Sequence, residues 1–570
     1  MQSINEFSLL FPEGKENCFQ VLSGITCNDL SIDYICSELC NGEIERKNMK
    51  RLLTAIPNDV EVIRYRNSIY NDLKKSPDFC KEVEDILIKI DFLARFKQNK
   101  KSWDKASIWD LVSRLRELET YIECIIKLKK CIDDSNILSE GLNKLKDYIN
   151  GIYNDSGFDE FQEDIKNIGY DMSTIKSISL GINLDKELYP KEVGIVSINN
   201  KYFKEMTFLK RFLNYHKEKQ EGLLESFDDM AFSTPPNENV DKGLEKMLNT
   251  PSNGNSGMSL LTHPFGQDVN PVMNNLTKLI EDMLSKNVKD LKDTLQKYVN
   301  VSGYALVKLS DQIRFYLRFI ELEKKINDLG LPTTMGEIEK VQGECNLQDF
   351  YNIKLALFYL KNNMENDIVK NELVFSKENR VYILTGPNRG GKTIFTQGIG
   401  LAFLLFNSGV FIPCSKGRMS LCDNIFTHFP ADENKTVEMG RLGEEAKRLS
   451  EICKNATKDT VILFNESFAT TSHTESLYIA KDVLKYLCDI GVRTCFNTHI
   501  HELAESVDEI NKDVDSEYKS VSIVMGLENG KRSYKTKISK PQGKSFARDI
   551  AYKYGITYEQ LKSENRLKGK

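Results

Sequence analysis

Apolar residues fall three and four apart along much of the first third of the chain. In KEVEDILIKIDFLARF, residues 81–96, Val83, Ile86, Leu87, Ile90, Leu93 and Phe96 share one helical face, and LVSRLRELETYIECIIKLKKCI repeats the pattern. The spacing predicts a helical scaffold from about Ile32 to Ile182, with few Pro or Gly to interrupt it. At EVGIVSINNKYFKEMTFL (Glu192–Leu209) the period shortens to two around an Asn-Asn pair, which predicts a β-hairpin. The next stretch, Asp228–Asp268, is rich in Pro, Gly, Ser and Asn and reads as a flexible linker. Helical spacing resumes at Pro271 and runs through LSDQIRFYLRFIELEKKI, so the chain goes out and returns as two arms able to pack together. From about Asp349 strands, Gly-rich turns and helices alternate, the signature of an α/β domain, and the main boundary is expected near 345. The expected divisions are a helical core at 1–190, a hairpin and linker at 191–275, a returning helical arm at 276–345 and an α/β domain with basic terminal helices at 346–570.

Composition changes this picture little. Over 570 residues, 40% are hydrophobic and 28% charged, as in ordinary globular proteins, and the length favours three or more domains. The formal charge of -5 neither supports nor excludes nucleic-acid binding, because such footprints are local. Charge is unevenly placed: Lys531–Lys570 holds twelve Lys and Arg against Asp549, Glu559 and Glu564, a balance of +9 that leaves -14 for the preceding residues. A solvated basic helix is the plainer explanation of that tail. The start, MQSINEFSLLFPEGKE, lacks the cationic and apolar segments of a secretory signal. The most apolar run, Ile399–Pro413, is too short to span a bilayer. Thirteen cysteines without a CxxC fit reduced thiols, so a cytoplasmic protein with no membrane partner is expected.

The chemistry concentrates after residue 380. A short apolar strand, Val381–Leu384, leads into GPNRGGKT, which is GxxxxGK[ST] at Gly386, Gly391, Lys392 and Thr393. Such glycines let backbone N–H groups curl around phosphate oxygens and point a helix N-terminus at them. Lys392 then reaches the β- and γ-phosphates, and Thr393 offers a hydroxyl to Mg²⁺. The intervening Pro387, Asn388, Arg389 and Gly390 complete the expected loop. Further on, VILFNESFATTS places a second apolar strand, expected beside the first, with Asn465 and Glu466 at its end. Glu466 is positioned to orient or deprotonate an attacking water, the alternative being an ordinary strand-end carboxylate. A third strand, VRTCFNTHIHEL, ends at His499, which suits contact with a γ-phosphate or the water but also suits a structural histidine. His499, His501 and Glu502 lack an evident further ligand for a metal site of their own.

LTGPNRGGKT, DNIFTHFPADE, GRLGEEAKRLSEI, ILFNESFATTS and FNTHIHELAE follow one another in the order and spacing of the ATPase domain of the MutS family, which the chain resembles from about 350 to 560. The closing SKPQGKSFARDIAYKYGI is similar to that domain's last segment, and DVEVIRYRNSIYNDL and DKELYPKEVGIVSINNKYF resemble the family's core and lever region. The resemblance implies a multidomain fold, an α-helical core and lever followed by an α/β P-loop ATPase domain of the ABC type. It implies ATP and Mg²⁺ as cofactors, with Thr393 and Asn465 at the metal and Glu466 and His499 in catalysis. It also implies a homodimer in which the helix beginning near Gly440, with Arg441, faces the partner's γ-phosphate, near Ser472 and His473. DNA is the implied partner, held by a clamp of helical arms in repair or recombination.

Departures from the family pattern shape the expectation. The expectation is a member of the family without its mismatch-reading domain ahead of the core-like helices and without a nuclease-like domain after the ATPase. FDEF at 158 has Phe158 and Glu160 at the spacing of the mismatch wedge, but in an acidic helical setting that argues against it. Branched or other non-B DNA is therefore the expected target, rather than mismatches. Asn465 stands where the family has Asp, which removes one negative charge from the metal site while keeping a carbonyl oxygen; weaker Mg²⁺ binding and slow turnover are expected. The rival reading is a nucleotide-dependent switch or scaffold that uses the same engine without touching DNA, which the acidic body favours.

Overall fold

The computed structural model describes residues 7–94, 106–173, 177–184, 186, 190–199, 285–387, 389–430, 441–468, 472–528, 531–541, 552 and 554–567. The chain divides into two compact units, one of residues 1–4, 83–134 and 147–307, the other of 5–82, 135–146 and 308–570.

Among its described residues, the first unit is built on long helices. Ile108–Asp133, Phe158–Ser173 and Ser285–Lys297 pack on one another. The first begins at a capping box, in which the Ser107 side chain accepts from the Asp110 N–H and the Asp110 carboxylate accepts from the Ser107 N–H. Leu111, Leu115, Leu118, Ile125, Leu291 and Leu295 are buried at helical spacing. Phe158 and Phe161 are fully buried, Phe161 lying 4.5 Å from the Tyr298 ring, so FDEF belongs to the core of this unit and presents no wedge. The alternation near Glu192 is a strand, Pro190–Asn199, paired antiparallel with Ser177–Leu184. The hairpin thus turns upstream of its expected position, and the helical stretch expected to reach Ile182 ends at Ser173. The reason lies in SISLGINL, whose own period-two pattern supplies the pairing strand. Asn200 and the segment to Leu209 lie outside the described residues, as does the expected linker.

The second unit carries a six-stranded sheet. Its strands are β1 (Asn379–Thr385), β2 (Ile425–His428), β3 (Val461–Asn465), β4 (Arg493–Asn497), β5 (Lys519–Glu528) and β6 (Lys531–Ile538), in the spatial order β2-β3-β4-β1-β5-β6. All neighbours are parallel except β5 and β6. This corrects one expectation: β3 does not lie beside β1, because β4 is inserted between them. Apolar content alone marks a strand as central without ranking its neighbours, so the order could not be read from composition.

Helices cover both faces of the sheet. Against one face lies α1 (Lys392–Asn407), which follows the glycine-rich loop. On the other, α2 (Arg441–Asn455) and α3 (His473–Ile490) pack with Val381, Ile383, Ile462, Phe464 and Phe496. The Phe464 and Phe496 rings stack 4.7 Å apart across β3 and β4, a contact worth about 0.5–1.5 kcal/mol beyond area burial. Strands covered on both faces have no polar side, which is why VYIL and VILF read as unbroken apolar runs.

A smaller sheet of Glu337–Ile338, Lys416–Met419, Cys345–Phe350 and Asn371–Phe375 flanks this domain. Residues 5–82 belong to the same unit and tie into it through polar groups. Arg66, fully buried in Val60–Lys75, donates to the carbonyls of Leu10 at 2.8 Å and Ser408 at 3.4 Å. Asp29 accepts from Thr427 at 2.6 Å and from Arg448 at 2.8 Å. All thirteen cysteines are free, ten of them buried, and burial raises the thiols of Cys36 and Cys40 to about 12. Among the described residues, no helix is long and apolar enough to cross a membrane.

Candidate functional site

The loop between β1 and α1 has a backbone that only part of the residue alphabet tolerates. Gly386 has φ +145°, and a Cβ there would lie 2.7 Å from the Cβ of Met525. Gly391, at φ +91°, is the N-cap of α1. Both positions are open to glycine at little cost and strained for L side chains. Arg389 also takes a left-handed φ of 58°, and Gly390 donates to the Pro387 carbonyl at 3.0 Å. Asn388 lies outside the described residues.

Lys392 is 5% exposed, and its Nζ donates only to the loop carbonyls of Gly386 at 3.1 Å and Pro387 at 3.4 Å. No carboxylate of the described residues forms an ion pair with it, and burial lowers its pKa. A buried amine without a counter-charge is costly in isolation and becomes favourable when an anion enters. The cavity it faces measures about 830 Å³ and is also lined by Arg389, Gly390, Gly391, Thr393, Glu466 and His499. That size suits a nucleotide-scale ligand.

Asn465 and Glu466 arrive at the carboxyl end of β3, and Asn497 and His499 at that of β4. Thr393 Oγ1 donates to Asn465 Oδ1 at 2.8 Å, so the hydroxyl at the start of α1 and the amide at the end of β3 form one hard-oxygen corner. This corner fits a small divalent cation, which takes oxygen donors. His499 Nε2 donates to Glu466 Oε1 at 2.6 Å. That hydrogen bond is the main reason the Glu466 pKa falls below its usual value, with the charges of His499 and Lys392 adding to it against partial burial. Glu466 and His499, singled out separately in the sequence, thus hydrogen-bond to each other. Glu502 lies 3.2 Å from His473. Among the described residues, no group of three or more His, Cys, Asp or Glu is disposed to hold a metal ion.

Behind Glu466 the chain makes a turn that depends on several elements. Glu466 and Phe468 both have left-handed φ values, 52° and 65°, which non-glycine residues adopt only when their surroundings hold them there. The Glu466 N–H donates to the Asn497 carbonyl at 2.9 Å. The Phe468 N–H donates to the Glu445 carboxylate of α2 at 3.0 Å, and Ser476 Oγ of α3 donates to the Phe468 carbonyl at 2.7 Å. Burial raises the Glu445 pKa. His428, at the end of β2, lies 2.7 Å from Ser467 Oγ through Nδ1 and 3.1 Å from the Glu445 carbonyl through Nε2. Burial pushes His428 down to about 4, so the ring is neutral and carries one N–H. A carbonyl only accepts, which places that N–H on Nε2; Ser467 Oγ, whose one proton also reaches the His428 carbonyl at 2.8 Å, sits against the unprotonated Nδ1.

The residues are placed unevenly relative to expectation. Lys392, Thr393, Asn465, Glu466 and His499 converge. Gly440 lies outside the described residues, and Arg441 is the first residue of α2, its side chain undescribed. Sequence reasoning missed the supporting group of His428, Glu445, Ser467 and Ser476, and it missed Asn497. It also missed Tyr359, Ile368, Met525 and Tyr534, which are part of the cavity's apolar lining. His428 and Glu445 fall inside the quoted stretches DNIFTHFPADE and GRLGEE, so there a signal was present; the lining residues carry no motif.

A helical region followed by an α/β domain with a glycine-rich loop under its sheet edge is the architecture of MutS-like proteins. Residues 382–560 match the family model for MutS domain V, and residues 58–329 match that for the MutS2 N-terminal domain. The chain belongs to the MutS family. Similar proteins include the DNA mismatch repair protein MutS of Clostridium botulinum (strain Hall), 34% identical over 146 residues, which are 25% of this chain and 16% of that protein. The protein of the same name from Chlorobium phaeobacteroides is 37% identical over 138 residues, 24% of this chain and 16% of the relative. The one from Staphylococcus haemolyticus is 26% identical over 258 residues, 43% and 29%. The matched part thus spans less than a third of each relative.

Proposed function

We propose that this chain is a Mg²⁺-dependent ATPase that works as a homodimer on DNA, in repair or recombination. The observation that carries the reading is Lys392, buried with no ion-pair contact among the described residues, at a cavity shared with Glu466 and His499. In this reading Lys392 and the N–H groups from Arg389 to Thr393 hold the β- and γ-phosphates, with the positive end of α1 directed at them. Tyr359, Ile368, Met525 and Tyr534 offer the apolar surface for the base. Thr393 and Asn465 would hold Mg²⁺, which when bound neutralises phosphate charge. Glu466, ionised at neutral pH and held by His499, orients the attacking water and accepts its proton. With an amide at position 465, the metal corner has one negative charge fewer than a carboxylate would provide, and turnover is slow.

Arg441 at the start of α2, with Gly440 before it in sequence, faces the γ-phosphate of the partner subunit in the proposed dimer. The DNA target is branched or otherwise non-B. Purified protein should hydrolyse ATP with a requirement for Mg²⁺ and retain duplex or four-way-junction DNA at low salt in a gel-shift assay. Hydrolysis without retention of any DNA form would turn the reading to a nucleotide-dependent switch or scaffold, and neither activity would end it.

A further inference from the structure

The parallel register of β3 and β4 sets Asn465 directly opposite Asn497. Asn497 Nδ2 donates to Asn465 Oδ1 at 2.5 Å, on the same oxygen that accepts from Thr393 Oγ1 at 2.8 Å. Asn497 is fully buried, and its own Oδ1 has no hydrogen-bond partner among the described residues. An unpaired buried acceptor is a cost to the fold that an apolar side chain of the same size would avoid. Something other than stability is served by an amide here.

An amide has two unlike ends, and the end that faces Thr393 decides what the hydroxyl can do. With the carbonyl end toward it, the single Thr393 proton points at Asn465 and the oxygen lone pairs stay free for a cation. With the –NH₂ end toward it, that group donates into a lone pair and turns the hydroxyl proton outward, against a cation. A carboxylate has two equivalent acceptors and needs no such setting; Asn465 does.

We infer that Asn497 is a positioning residue for the metal corner: its N–H fixes the amide of Asn465 with the carbonyl toward Thr393, so that Thr393 presents lone pairs to a divalent cation. The inference rests on the reading of this site as one for Mg²⁺ and nucleotide. It makes residue 497 matter only while residue 465 is an amide.

The test is equilibrium binding of a fluorescent ATP analogue to the full-length protein, titrated with Mg²⁺, for wild type, Asn497→Leu, Asn465→Asp and the double variant. Leucine keeps asparagine's branching and number of side-chain heavy atoms, cannot donate, and removes the unpaired acceptor, so thermal unfolding without nucleotide should be no lower than wild type. With Asn465 in place, Asn497→Leu should raise the Mg²⁺ midpoint roughly five- to tenfold, the usual effect of one lost hydrogen bond, with metal-free nucleotide affinity unchanged. In the Asn465→Asp background the same change should move the midpoint by less than about twofold. An unmoved midpoint in Asn497→Leu, or an equal shift in both backgrounds, would overturn the inference while leaving the nucleotide reading intact. Wild-type binding that ignores Mg²⁺ would overturn both. If Asn497→Leu does not fold, Asn497→Ala carries the same comparison, since it too lacks the donor.

Discussion

At the scale of single residues, the proposed function separates holding the phosphates from activating water. Lys392 is the only cation among the described residues that is both buried at the cavity and paired solely with carbonyls. Lys392→Ala should therefore abolish binding of a fluorescent ATP analogue. Glu466 lies at the carboxyl end of β3, on the same sheet edge as the loop, and holds no phosphate in this reading. Glu466→Gln should keep that binding and lower kcat by about 10²–10⁴-fold, the usual loss of a general base; unchanged turnover would remove Glu466 from the role. His499 gives a pH signature. Its hydrogen bond depresses the Glu466 pKa below the ordinary 4.5, so the carboxylate persists as pH falls and the acid limb of kcat lies below that value. His499→Ala removes the largest cause of the depression. Its acid limb should move to higher pH, measured as a larger loss of kcat between pH 7.5 and pH 5 than in wild type.

At the scale of elements, the loop before α1 was legible because its chemistry is local: the glycine spacing, the lysine and the threonine sit within one turn of chain. Gly386 makes this testable, since a Cβ there meets Met525 of β5 at 2.7 Å in a left-handed backbone. Gly386→Ala should weaken ATP-analogue binding at least tenfold, and wild-type affinity would show that the loop can relax. What joins strands was not legible. The insertion of β4 between β1 and β3, and the facing of Asn497 and Asn465 that follows from it, are products of sheet order and register. Likewise Tyr359, Ile368, Met525 and Tyr534 come from separate segments and meet only in the folded cavity. The turn behind Glu466 is another such product, braced by His428 at the end of β2. Because His428 titrates near 4 in the fold and near 6.5 in the unfolded chain, the unfolded state binds more protons between those values. Its contribution is complete above pH 6.5 and is lost as pH falls toward 4, about 3 kcal/mol in all. Urea unfolding at pH 7 and pH 5 should show this loss in wild type, and His428→Gln should flatten it; equal slopes would mean the ring is not held neutral.

At the scale of the whole molecule, the charge distribution sets what kind of DNA contact is possible. The chain carries -5 overall, with +9 confined to its last forty residues, so there is no general attraction to a polyanion and any footprint must be local. The nucleotide site bears on assembly more directly. If the start of α2 of one subunit faces the γ-phosphate of its partner, ATP binds the dimer better than the monomer. Reciprocity then requires ATP to tighten the dimer by the same factor. Glu466→Gln is the form in which to measure this, because it holds ATP without consuming it, and sedimentation velocity across a concentration series gives the dimer constant. ATP with Mg²⁺ should tighten that constant by tenfold or more, within the usual range of coupling between sites. ADP should do less, lacking the γ-phosphate, and Lys392→Ala should show no response. In the ATP-bound dimer, retention of a four-way junction should fall steeply from 50 to 200 mM salt, as phosphate contacts require. A dimer constant indifferent to ATP would remove the partner's helix from the site, and a junction affinity indifferent to salt would remove the phosphate backbone as what the protein holds.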